Sequence, residues 1–264
     1  MKRSSQAFIA VAVVLMLAHP FGITAQWNKK PYTEWSEKEA LKLLNDSPWC
    51  QTQVFTDTSK QSSTTRSGSG STTAIADVIN VSFRVRLLSA KPTRQAIARA
   101  MALQQKGNLT EQLAARLKAF ASADFPDYIV INVLAEADKP SNMLQQATAV
   151  LYKLTTNELK NDTYLLLKGG KRVFLKEYQP PGKDGLGARF IFARLVDGEP
   201  FISEKSEEIL FHTDLSGGSA IDGTISNSDI PNRDSSGRTA QPYGFTINLR
   251  YKIKDLMWDG KLEY

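Results

Sequence analysis

Two histidines, His19 and His212, and one cysteine, Cys50, are all the imidazole and thiol chemistry that 264 residues offer. A structural zinc site draws on clustered Cys and His, and the metalloprotease spacing His-Glu-x-x-His needs paired histidines, so neither fits this chain. A Ser-His-Asp hydrolase would have to use His212 as its base. The nearest nucleophile-elbow match, Gly217-Gly218-Ser219-Ala220, has Ile221 where the second flanking glycine belongs. His212, two residues before Asp214, reads instead as a sheet-face histidine bonded to a neighbour.

Carboxylates are more plentiful. Two suffice for glycoside hydrolysis, and Glu34, Glu37, Glu136, Glu177, Glu207 and Glu208 are all candidates. Nothing in their spacing selects a pair, so a carboxylate-dependent polysaccharide hydrolase stands as the alternative reading. Asp222, Asn227, Asp229 and Asp234 could contact calcium, but the EF-hand spacing is absent and such clusters are ordinary turn chemistry. No metal site and no cofactor is expected. The basic residues carry the one pattern of interest. Arg84 and Arg86 share the polar face of one expected strand, and Arg250, Lys252 and Lys254 that of another. If those strands are neighbours, five cations line one wet surface suited to an anionic envelope component or a partner protein. The ordinary reading is a solvated sheet face shielded by its charges. Trp27, Trp35 and Trp49 could stack on sugar rings, but an aromatic cluster beside a short helix more often docks that helix on a core.

The first 25 residues set the compartment in which this chemistry would act. Lys2 and Arg3 precede an apolar run from Ala7 to Ala18; Pro20 and Gly22 break it, and Ile23-Thr24-Ala25 offers a small-residue cleavage site before Gln26. The run is far shorter than the roughly 20 residues of a membrane span, so no transmembrane segment is expected after cleavage. The expected mature protein is secreted or periplasmic, begins near Gln26 and has 239 residues. Loss of Lys2 and Arg3 leaves 31 basic against 27 acidic residues, a charge of +4, too mild for a nucleic-acid binder. With one cysteine no internal disulfide is possible, and stability must come from burial.

Four segments follow from composition: the signal peptide 1–25, an N-terminal amphipathic helical segment 26–55, a Ser/Thr/Gly-rich flexible linker 56–73, and an α+β domain 74–264. Ser36-Glu37-Lys38-Glu39 is a capping box that starts a short helix. Residues 79–87 alternate as a half-buried strand, and Pro92 opens a helix whose apolar stripe runs from Ala96 to Leu103. A second helix follows Asn108, and Ser141 caps a third. Residues 127–135, apolar on both faces, read as an interior strand. A hairpin is expected across Gly169-Gly170, then strands over 188–196, 208–213 and 245–254, with 214–242 irregular. The pattern predicts an α+β fold: a mainly antiparallel sheet of about six to seven strands with three helices packed on it, plus the short N-terminal helix.

The opening Trp35-Ser36-Glu37-Lys38-Glu39-Ala40 with Ser47-Pro48-Trp49, the segment Phe83 to Ala96 and the ending Gly260-Lys261-Leu262-Glu263-Tyr264 resemble a group of secreted proteins from acidobacterial-type soil bacteria. The resemblance implies a bacterial, extracytoplasmic setting and brings no activity, cofactor or catalytic residue with it. The function expected is a non-catalytic binding or interaction module of the cell envelope, with the hydrolase and a purely structural envelope protein as alternatives.

Overall fold

The computed structural model describes residues 30–57, 78–105, 107–216 and 244–264. The expected signal peptide 1–25, Trp27, most of the expected linker 56–73, the Gly217–Ala220 motif and the four oxygen-bearing residues 222–234 lie outside these.

Ser36 caps the first helix, α1 (Glu37–Asn45), in the expected way. Its hydroxyl accepts from Glu39 N, and the Glu39 carboxylate reaches back to Ser36 N at 2.7 Å. Next comes a strand, β1 (Cys50–Asp57), where the sequence had the end of a helical segment and the start of a linker. It pairs along its whole length with β2 (Ile79–Leu87). Helix α2 (Lys91–Gln104) has Pro92 in its first turn, and α3 (Glu111–Ser122) is capped by Thr110. Strand β3 (Tyr128–Ala137) lies inside the sheet, as its unbroken apolar run implies. Ser141 caps α4 (Asn142–Lys153), which is followed by one turn, α5 (Thr156–Leu159). The rest is strands: β4 (Tyr164–Leu167), β5 (Arg172–Gln179), β6 (Ala188–Ala193), the small hairpin β7 (Leu195–Val196) and β8 (Glu199–Pro200), β9 (Glu208–Asp214), β10 (Thr246–Lys252), and the hairpin β11 (Met257–Trp258) and β12 (Lys261–Leu262).

Eight strands form one antiparallel sheet in the order β1-β2-β3-β6-β5-β4-β9-β10. The fold is α+β as expected, with more strands and five helices. The sheet curls until its edges meet, because Gln51 and Gln53 on β1 reach across to β10. Gln51 Nε2 donates to Arg250 O at 2.5 Å, Gln53 Nε2 to Thr246 O at 2.7 Å, and Asn248 N donates to Gln53 Oε1 at 2.8 Å. Two glutamine side chains thus stand in for a ladder, and the sheet is nearly a barrel.

Eight strands enclose a space that side chains can fill. Here Phe83, Phe190, Phe192, Phe211 and Phe245 fill it, with ring centroids 5.0–6.2 Å apart where they touch. Helix α4 joins this core through Met143, Ala147 and Leu151, and Tyr178 donates its hydroxyl to Leu151 O. At the other end of the chain order, Trp35 and Trp49 both pack edge-on against Trp258, and Trp49 Nε1 donates to Glu263 O at 2.9 Å. Tyr264 completes the clasp by donating to Ile202 O and lying under the Arg194 guanidinium. The first and last described segments therefore belong to one core. No helix among the described residues is long and apolar enough to cross a membrane.

Candidate binding face

The five cations singled out by sequence do not form one surface. Strand β1 stands between β2 and β10, so the condition that would have joined them is not met. Arg86 is buried and donates from Nε to Leu44 O of α1 at 2.9 Å. Burial pulls its guanidinium below the usual arginine range, and burial likewise pushes the adjoining Cys50 thiol up. Arg84 is paired with Glu136 at 2.6 and 3.0 Å. Both arginines hold elements together. Arg250, Lys252 and Lys254, by contrast, come together on the far side of the seam.

Those three line a shallow depression of about 550 Å³ with Lys168, Lys205, Ser206, Glu204, Glu207 and Glu208. Lys168 pairs with Glu207, and Arg250 with Glu208 at 2.6 Å. Among the described residues, Lys205, Lys252 and Lys254 have no carboxylate partner. Five cations face three carboxylates, so the depression is net positive.

The depression opens onto the outer face of β5, β4, β9 and β10, and the pairing register lays that face out in rows. One row runs Phe174, Tyr164, His212, Asn248. The next runs Arg172, Leu166, Leu210, Arg250. Beyond it Glu208 lies opposite Lys252, with Lys168 N bonded to Glu208 O. No residue in these rows is buried, whereas Arg86, Val130 and Asn132 on the outer face of β2 and β3 are.

Side chains in the first two rows hold one another still. The Arg172 guanidinium lies 4.1 Å from the Tyr164 ring centroid and 5.5 Å from that of Phe174. Tyr164 stacks on His212 at 4.7 Å and meets Phe174 edge-on at 5.9 Å. His212 Nδ1 is 2.7 Å from Asn248 Oδ1; a carbonyl oxygen only accepts, so Nδ1 carries the proton and Nε2 is directed elsewhere. His212 is a sheet-face histidine bonded to a neighbour, as its context implied. Arg172 has no carboxylate partner among the described residues. A guanidinium stacked on a ring keeps its planar fork of donors available at the edge, which is the geometry that grips a carboxylate with two parallel bonds.

Sequence reasoning missed Arg172, Tyr164, Phe174 and Leu166: Arg172 and Phe174 pair within the β4–β5 hairpin, while His212 and Leu210, the β9 partners of Tyr164 and Leu166, lie more than forty residues away. Period-two spacing did show that Tyr164 and Leu166, or Arg172 and Phe174, share a face. It could not show that the face is left open. Trp35 and Trp49, the alternative sugar-stacking residues, are 1% and 0% exposed and serve the core. Among the described residues no group of three or more His, Cys, Asp or Glu side chains is placed to hold a metal ion.

With this geometry in hand, comparison with protein-family models, curated proteins and solved structures yields no match.

Proposed function

We propose that the protein is an exported, non-catalytic binding module of the cell envelope. It engages an anionic partner through the outer face of β5, β4, β9 and β10. One observation carries the reading: among the described residues this four-strand face is not buried, and it carries an aromatic-backed Arg172 without a carboxylate partner at one end of a row whose other end, Arg250, lines a depression in which cations outnumber carboxylates. Function tends to sit on exposed surfaces of a rigid scaffold, and the filled barrel is such a scaffold. Export follows from the signal-like residues 1–25, with cleavage near Ala25-Gln26.

Of the six carboxylates weighed for a hydrolase, Glu207 and Glu208 come together in the depression, beside Glu204, while Glu136 is paired with Arg84 and Glu34, Glu37 and Glu177 lie on other elements. Glu207 and Glu208 are each tied to a cation, and the Glu207 side chain is 70% exposed. A glycosidase acid sits in an apolar pocket, which this exposed, charge-lined depression is not.

The test is co-sedimentation with isolated bacterial envelopes over a salt series, comparing the native protein with R172Q/K252Q/K254Q. Binding that falls steeply with salt and is mostly lost in the triple variant supports the reading. Equal sedimentation of both proteins at every salt concentration would sink it.

A further inference from the structure

We infer that the ligand of this face is a linear polyuronate, a chain of carboxylate-bearing sugars, lying across the strands from Arg172 to Arg250. The inference rests on the binding-face reading above and names its chemistry.

The row Arg172, Leu166, Leu210, Arg250 has a cation at each end and two half-exposed leucines between. Adjacent strands lie about 4.8 Å apart, so three steps place the two arginines roughly 14 Å apart along the row. A sugar ring shows water an apolar C–H face and a polar hydroxyl rim. The leucines offer apolar contact to the faces of the middle rings, and the arginines meet carboxylates further along the chain. Arg172 is already held in place by Tyr164 and Phe174, so little ordering entropy remains to be lost when its fork closes on a carboxylate. Among the described residues Arg250 is held only by Glu208, and its side chain is 64% exposed. An exposed pair of that kind contributes little, so a second carboxylate can displace or join it. The parallel row supplies hydroxyl partners: the outward nitrogen of His212 and the amide nitrogen of Asn248. Lys252 extends the positive field past the far arginine.

Other occupants fit less well. A second copy docking here would set cations against cations. A phosphate would find its cations spread along a row, with no convergent backbone amides. A lipid surface would find one exposed ring, Phe174, already engaged by Arg172 and Tyr164, and two leucines that are only partly exposed.

Titration calorimetry on the purified protein tests this with linear tri- and tetragalacturonate, with neutral maltotetraose, inorganic phosphate and anionic phosphatidylglycerol vesicles run in parallel. The galacturonates are expected to bind and maltotetraose not. R172Q and R250Q should each weaken binding about tenfold, in line with loss of one charged hydrogen-bonded contact. Leu166→Gln should weaken it too. K118Q, which removes an exposed charge from α3, should leave it unchanged. Equal weakening by K118Q and R172Q would mean bulk charge alone and overturn the inference, as would equally tight maltotetraose binding. If phosphate or vesicles bind through Arg172 while galacturonates do not, the polyuronate falls and the anionic face stands. If no anion and no envelope preparation binds, both fall.

Discussion

Arg86 and Arg250 carry the same charge on strands two places apart, yet the energetics of the two sites differ in kind. Arg86 is buried, its Nε satisfied by Leu44 O, so truncation leaves a carbonyl without its donor and a gap under α1. We expect R86A to lose about 2–4 kcal/mol in urea denaturation, and R250A less than about 0.5, since exposed pairs contribute little. Near-equal losses would contradict this division. Trp49, fully buried and bonded to Glu263 O, should cost about 3–5 kcal/mol as W49A. Cys50 is buried and its thiol pushed up by that burial, with Arg86 and Arg84 opposing it more weakly. A thiolate is the reactive form, so a thiol reagent should label Cys50 only as fast as the protein unfolds. Rapid labelling of the native protein would contradict its placement.

Among elements, α1 and the turn before β6 show how single residues fix a join. The Glu39 carboxylate is held at about 2 by its bond to Lys30 Nζ and then by its bonds to Ser36. A carboxylate held below its ordinary value of 4.5 contributes fully above that pH. The contribution is lost as pH falls toward 2, because the proton then binds the unfolded chain first. The stability difference between native protein and E39Q should therefore shrink as pH falls from 4.5 toward 2, and S36A should cost about 1 kcal/mol at pH 7. A difference that does not change with pH would deny the capping role. Gly187 has φ +89°, and a Cβ there would sit 2.4 Å from Val133 O, where β6 begins its pairing with β3. G187A meets strained backbone and a backbone clash together, and should cost roughly 2 kcal/mol or more by thermal or urea unfolding.

The closure of the sheet belongs to the whole molecule. Backbone ladders are shared and cooperative, but the β1–β10 seam is joined by two glutamine side chains and the edge-on contact of Phe55 with Phe245. Replacing both glutamines with alanine should leave the barrel folded while amide hydrogen exchange quickens in β1 and β10, ahead of β3 and β6. Uniform acceleration across all eight strands would mean that the seam unfolds with the rest.

Much of the fold was legible because its signals are local. Ser36 and Glu39 are three residues apart, Pro92 sets its own φ, and the alternation through Ile247, Leu249 and Tyr251 is visible in a seven-residue window. Strand β1 was not legible: its inward positions include Gln51 and Gln53, polar residues that make sense only once β10 lies opposite. The candidate binding face was legible in half. Arg250 and Lys252 declare a wet strand face by their spacing, whereas Lys254, expected on the same strand, lies in the 3-10 turn Ile253–Leu256 that follows β10. That Arg84 and Arg86 are spent on Glu136 and Leu44 O, while Tyr164, Arg172 and His212 converge, depends on which strands pair. Sequence by itself determined most of the local elements and the scarcity of histidine and cysteine, because torsional preference, periodicity and composition act within a few residues. Only the tertiary structure decided which charges are neutralised and which face stays open, because both depend on distances between segments far apart along the chain.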